Sequence, residues 1–428
     1  MGDTNGLTLG ASFHFYVDMG RLFSLHKKRA ENLLGRSRQD RVRTTAALVA
    51  AALEDAGVGP VLVTRTRRII DNLEFIRPMM PMLDRLDVEE EWFEGWVVKT
   101  DDRLTQHAAN PDEGTPPHEA DFLRSREFLG FEVAMRLLPA TGQTHDKIKA
   151  CAKAIRHGLR RPGAVHFDSH TGYDVRVGRG RAGFGVLEMQ KFYSLVLAGG
   201  EAILGHVHPV SRRAGVTADL ASCALHSFGP PRGRYQGLAT RELTPEAQWY
   251  LQASGLDGSL EDGKEGLLGP WETLDADPKM KQQMVLGNGT YLDCTGLTRA
   301  KYLWRLRDAA ELHDAFAGDG RHNPTYAPCK SISMLTGDPH GTFEETYWVQ
   351  EPEDGTRMHH IVFRQGTGEL RGGDDAQYPV AWAQVAVGLL RWAITVDGET
   401  FGRLIQNMRV VSQLGYGNPS QETKYLLR

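Results

Sequence analysis

The sequence predicts an α+β fold, and three observations carry that prediction. Two segments, Gly10 to Tyr16 and Gly172 to Gly178, alternate bulky apolar and polar side chains as half-buried strands do. Helical apolar periods recur at 42–56, 184–204 and 376–395. Strands and helices are interspersed with hairpin-like spacing and without a regularly repeated βα unit, which excludes a strictly doubly wound parallel sheet.

The elements follow in order. Residues 8–17 read as a strand with Phe13, Phe15 and Val17 on one face and Ser12, His14 and Tyr16 on the other. Residues 21–35 and 42–56 suit helices, the second capped by Thr44 and stopped by Gly57. Pro60 to Val63 and Glu91 to Lys99 suit strands. The proline-rich stretch Asn110 to Glu119 suits a loop. Phe128 to Leu137 is a strand, Thr144 to Leu159 a helix, His166 to Gly178 a strand and Phe184 to Leu204 a helix. Residues 227–326 are rich in Gly, Pro and Asp. They read as a divergent, loop-rich excursion that either covers the site or forms a partly mobile surface segment, with Leu297 to Phe316 as its clearest helix. Ser331 to Leu335 and His359 to Gln365 read as strands, Ala376 to Thr395 as a core helix, and the tail from 400 begins as a helix. With no repeat or linker, residues 1–428 read as one domain.

Composition narrows the function classes. A net charge of -4 with 24% charged residues offers no polyanion-binding field, so no nucleic-acid partner is expected. Arg65, Arg67 and Arg68, and the run from Arg156 to Arg161, read as solvated faces. The longest apolar stretch, Pro379 to Val396, carries Gln384 and Arg391 and is too polar for a bilayer. The first residues lack the basic start and apolar run of a leader. Cys151, Cys223, Cys294 and Cys329 are widely spaced, as in a reducing compartment. The expectation is therefore a cytoplasmic protein with a small-molecule substrate and no membrane partner. Its oligomeric state is not legible.

No phosphate loop, dinucleotide fingerprint, GxSxG or HExxH is present. Gly178 to Gly183 is glycine-rich but lacks the strand–turn–helix frame of a nucleotide loop. The histidine pairs His166/His170, His206/His208 and His359/His360 are consistent with ordinary polar roles in a chain with 16 histidines. The polar face of 172–178 says more. Asp174 and Arg176 point the same way, and such charges must be paired or must line a cavity. His14 adds an imidazole that titrates near neutrality.

Several blocks, in order, resemble the amidoligase family, carboxylate–amine ligases on a glutamine-synthetase-like fold. Gly10-Ala11-Ser12-Phe13-His14 stands where that family has Gly-x-Glu-x-Glu. Trp96 to Leu104 resembles its Trp-bearing strand running to an Asp-x-Ser turn, with Asp101 as the aspartate. Gly130-Phe131-Glu132 resembles its Gly-x-Glu strand. Thr171-Gly172-Tyr173-Asp174-Val175-Arg176-Val177-Gly178 resembles its His-x-His block, followed by Gly183-Phe184, Glu201 and His208-Pro209 to Arg212-Arg213. Val362-Phe363-Arg364, then Gly366-Thr367 and a helix from Ala376, resembles its Glu-Phe-Arg block. The resemblance implies a curved, mainly antiparallel sheet backed by helices, and a place in fungal specialised metabolism.

The departures fall on the metal-ligand positions, which here hold Ser12, His14, Asp174, Arg176 and Val362. Magnesium needs several hard oxygen ligands. The resemblance therefore implies three alternatives. One is a repurposed enzyme without Mg-ATP and without metal or other cofactor, acting on a small carbonyl- or carboxylate-bearing metabolite by cyclisation, condensation, dehydration or isomerisation. His14, Tyr16, Asp174, Arg176 and Arg364 would be its acid–base and electrostatic groups, with Ser12, Asp101, Glu132 and Arg212 binding substrate. The second is an ATP- and Mg-dependent ligase holding metal through Glu132 and Asp174, or through Asp168, His166 or Glu369. The third is an inactive binding or scaffold protein.

Overall fold

β1 (Thr8–Asp18) is the strand around which the sheet is built, and each of its eleven residues has a register partner on a neighbouring strand. A computed structural model gives the architecture. It describes residues 6–27, 38–59, 61–63, 96–111, 115–160, 163–168, 170–179, 183–196, 241–254, 303–308, 311–312, 326–329, 360–367 and 376–415. Described residues within Met1–Gly180 and Val362–Val387 form one compact unit, and those within Arg181–Ser331, Glu351–Ile361 and Gly388–Arg428 form another.

In the first unit the strand order is β2 (Val61–Val63), β3 (Trp96–Thr100), β4 (Phe128–Pro139), β1, β6 (Gly172–Gly178) and β8 (His360–Thr367, from Val362 on). β3, β4, β1 and β6 are mutually antiparallel, β2 runs parallel to β3, and β5 (Val165–His166) adds to β1 at Tyr16 and Val17. The fold is thus a mixture of helices with an open, mainly antiparallel sheet: α+β, as the alternation predicts.

One sheet face is apolar. Phe13 meets Tyr173 at 4.7 Å and Trp96 at 6.0 Å between ring centroids, and Phe15 meets Phe167. Helix α2 (Arg38–Asp55) packs on β2 and β3 and against α5 (Gly142–Ala154), whose last turn, Ile155–Arg160, widens to a π-helix. The other face carries Ser12, His14 and Tyr16. At its Tyr16 end, Leu104, Ala108, Leu123 and Phe128 close a small core beneath α3 (Asp102–Ala109) and α4 (Pro117–Arg124).

Local sequence explains most boundaries and corrects several. Asp18 accepts from Arg21 N and caps α1 (Met19–Leu25). Gly57 stops α2 with φ +82°, its amide bonding Glu54 O and that of Val58 bonding Leu53 O. Thr44 does not cap that helix; it lies buried inside it, because helix already runs from Arg38. Pro117 opens α4 within the expected loop, since its fixed φ suits a first helical position. The single strand expected over 166–178 is two. Asp168 and Thr171 exchange hydrogen bonds in a tight turn between β5 and β6.

In the second unit, α6 (Val186–Leu195), α7 (Pro245–Ala253) and α9 (Gly398–Gly415) supply the cores. Tyr250 stacks on Trp304 and meets Phe401 edge-on. A Cβ on Gly402 would stand 2.1 Å from Ala253 O, so α7 and α9 touch backbone to backbone there. α7 lies in the stretch expected to be loop-rich. Thr244 caps it and Pro245 opens it, a start signal that the surrounding glycines obscure. The helix expected over Leu297 to Phe316 is broken at its described residues. Leu303 and Leu306 both give their carbonyls to the Gln190 amide, and Leu303 also accepts from Leu306 N in a single tight turn that does not continue as helix. β7 (Tyr326–Cys329) also belongs to this unit. Helix α8 (Gln377–Thr395) contributes Pro379 and Trp382 to the first unit and Trp392 to the second. No helix among the described residues is long and apolar enough to cross a membrane. The expected strand at Ser331 to Leu335, and the parts of other expected elements at 28–35, 91–95 and 197–204, lie outside the described residues.

Candidate active site

Strand register assembles the site. His14 on β1 stands opposite Glu132 on β4, and Glu132 stands opposite Lys99 on β3. One polar row therefore crosses three strands. In the next row, Ser12 stands opposite Asp174 on β6, which places Asp174 diagonally beside His14.

The imidazole is the hub. Its Nδ1 lies 3.0 Å from Asp101 Oδ2, and its Nε2 lies 3.4 Å from Asp174 Oδ2, 3.3 Å from Ser12 Oγ and 4.0 Å from Glu132 Oε1. The side chains of His14 and Asp101 are each 12% exposed, so the pair is largely but not wholly screened from water. Lys99 Nζ meets Glu132 Oε2 at 2.8 Å, with both side chains buried. Two cations thus face three carboxylates.

Asp101 is held by its own backbone. It is the N-cap of α3, its Oδ1 accepting from Leu104 N at 3.1 Å, which leaves Oδ2 for His14. Its amide donates to Gly130 O, and Gly130 N donates to Thr105 Oγ1. A Cβ on Gly130 would fall 2.4 Å from Asp101 O. The glycine lets the Asp101 turn press onto β4 and fixes the carboxylate against the imidazole.

Electrostatics follow from this packing. Burial pulls the His14 imidazolium toward deprotonation. Glu132, then Asp101 and Asp174, outweigh that and push its pKa up to about 10. Burial raises the Asp101 carboxyl, but the hydrogen bond and charge of His14, with Arg103 and the Leu104 amide, hold it well below the usual carboxylate range. The arrangement is a protonated imidazole oriented by one carboxylate, with its second nitrogen among a hydroxyl and two further carboxylates. Such a group donates a proton, and Asp174 is placed to accept one.

The other expected residues fall as follows. Arg176 is buried, and its Nη2 donates to Met135 O at 2.9 Å and Ala11 O at 3.2 Å. Its cross-strand neighbour is Gly10, which has no side chain, so the guanidinium reaches over β1 to β4. It arrives where the β1–β4 register slips between Leu9 and Ala11. Arg176 therefore serves backbone carbonyls. Tyr16 is fully buried beside Phe128, His107 and His166. Val362 is buried in β8. Arg364 lies on β8, but its side chain, like all of Arg212 and Glu369, lies outside the described residues.

Lys99 is the residue that sequence reasoning missed. Its signal was a lone lysine ending an apolar strand, with a lone glutamate, Glu132, in another apolar strand. Two opposite charges in two buried strands are a pairing rule waiting for a register. Comparison with family models, with curated proteins and with solved structures finds no match for this chain.

Proposed function

We propose that this chain is an acid–base enzyme on an amidoligase-like, glutamine-synthetase-like sheet, acting without Mg-ATP on a small carbonyl- or carboxylate-bearing metabolite. The observation that carries the reading is the position of His14 at the meeting point of Asp101, Asp174 and Glu132. Its positive charge, with that of Lys99, supplies the neutralisation that a divalent ion supplies in ligases of that family.

The chemistry is a proton relay. His14 Nε2 donates its proton to a substrate carbonyl oxygen while Asp174 takes the proton from the adjacent carbon, giving an enol. Return of the Nε2 proton from the enol oxygen, with reprotonation at carbon, completes an isomerisation. Loss of a β-hydroxyl as water instead completes a dehydration. Asp101 holds the ring so that Nε2, not Nδ1, meets the substrate. Arg364 on β8 and Arg212 are the residues that the sequence offers for holding a substrate carboxylate.

One observation favours the ligase alternative. Glu132 and Asp174 both approach the same imidazole nitrogen, and two carboxylates around one point are a start on a magnesium site. Titration calorimetry with ATP and MgCl2 separates the readings: no heat of binding supports the acid–base enzyme, and micromolar Mg-dependent binding contradicts it. In a panel of small 2-oxo acids in D2O, NMR is expected to show deuterium entering beside the carbonyl of at least one with the wild type. His14→Gln should slow that exchange by about a hundredfold or more.

A further inference from the structure

We propose that Arg176 binds the carboxylate of an oxo acid whose acid group stands several carbons from the reacting carbonyl. This role rests on the acid–base reading for the reacting carbonyl. It takes the place that the sequence offers to Arg364 and Arg212.

Arg176 is 5% exposed, yet among the described residues no carboxylate pairs with it. Its acceptors are two backbone carbonyls: Nη2 donates to Met135 O at 2.9 Å and to Ala11 O at 3.2 Å. Nε is also buried and has no hydrogen-bond partner. A guanidinium is costly to take out of water unless an anion accompanies it. Buried N–H donors in native proteins are nearly always satisfied. Lys99 and His14, on the same sheet, each meet a carboxylate. A buried cation with neutral acceptors and a spare N–H is the arrangement that takes up an anion from outside the chain.

Strand register puts this group at the end of the candidate site. Asp174 and Arg176 alternate onto one face of β6, opposite Ser12 and Gly10 of β1, the strand that carries His14. Gly10 has no side chain, so the guanidinium lies across β1 toward β4. The two carbonyls fix it there before any ligand arrives, which lowers the ordering cost of binding. An N–H from such a group to a carboxylate is a charge-assisted hydrogen bond.

The spacing selects the ligand. The Arg176 row lies two residues beyond the Ser12–Asp174 row, about 7 Å along the strand. His14 Nε2 reaches to the Ser12–Asp174 row, 3.3 Å from Ser12 Oγ and 3.4 Å from Asp174 Oδ2. A carbonyl polarised by Nε2 and a carboxylate on Arg176 are therefore separated by a few carbons, too far for adjacent carbonyl and carboxylate groups.

The test measures binding, which is independent of turnover. The full chain is titrated by calorimetry with 2-oxopentanedioate against 2-oxopentanoate, and with 4-oxopentanoate against its methyl ester. Each pair differs in the charge at the far end. In at least one pair the acid with the distal carboxylate is expected to bind about tenfold tighter or more. Arg176→Gln removes the charge and should erase that preference. Arg176→Lys keeps a cation for the Ala11 and Met135 carbonyls but has no Nε, and should lower the preference severalfold. Circular dichroism checks that both fold. A wild-type crystal soaked with the preferred acid should show a carboxylate oxygen at hydrogen-bond distance from Arg176 Nε, whatever the variants do. No preference in either pair would overturn the proposal. So would full preference in folded Arg176→Gln, or a carboxylate seated elsewhere in the crystal. A preference that depends on Arg176, without His14-dependent deuterium exchange, would leave this subsite standing and sink the acid–base reading. Exchange that depends on His14, without the preference, would do the reverse.

Discussion

Lys99 and Glu132 show what one buried pair does for the site. Both side chains are about one-tenth exposed or less, and their contact is 2.8 Å. Removing one partner from such a pair leaves a charge without compensation, at a cost of about 3–5 kcal/mol, whereas replacing both by apolar groups is near neutral. Lys99→Met is therefore expected to lower urea-unfolding stability by several kcal/mol. Lys99→Met with Glu132→Leu should recover most of it. Equal losses in the single and double variants would show that the pair does not act as a unit. Neither Lys99 nor its role was legible from one strand alone, because pairing is a property of register and register spans 33 residues of chain here. His14, Glu132 and Asp174 were legible as polar positions in apolar strands, and Asp101 as the aspartate of the turn that follows one. Their convergence on one imidazole was not.

At the scale of elements, the junction of α3 with β4 sets the geometry of the dyad. Gly130 has no room for a methyl group: it would meet Asp101 O, Leu104 Cβ and Thr105 N, the nearest at 2.4 Å. Gly130→Ala is expected to cost about 1–3 kcal/mol in chemical denaturation, and to shift Asp101 away from His14. A crystal structure of the variant with the 3.0 Å contact unchanged would contradict this account of the glycine. The strand alternation of β1 and β6 was readable because a period of two survives in any context. The start of α4 was hidden by the prolines that open it, and the break at Leu303 to Asp308 by a distant glutamine side chain that takes its carbonyls. Tertiary partners override local preference in the second case; in the first, a start signal looks like a loop.

For the whole molecule, the charge cluster makes stability depend on pH in a defined way. His14 has its folded pKa raised from 6.5 to about 10, so its contribution is complete below 6.5 and is lost as pH rises toward 10. Asp101 has its folded pKa lowered from 3.8, so its contribution is present above that value and is lost as pH falls through the folded pKa. The two describe one ion pair. Its stabilisation should therefore hold between the two unfolded values and decline on both sides. In His14→Gln the alkaline decline should flatten, as read by thermal midpoints from pH 5 to 10. The α+β class followed from the sequence because strand and helix periods are local. The division into two compact units did not, since it depends on contacts among segments far apart in the chain.

The site depends on His14 being an imidazolium held by carboxylates at neutral pH. NMR of protein labelled with 15N at histidine side chains, with His14→Gln assigning the resonance, reads that state directly. The His14 ring nitrogens are expected to remain in the protonated form through pH 8 and to titrate near 10. A His14 ring that loses its proton near 6.5, as a free histidine does, would contradict it.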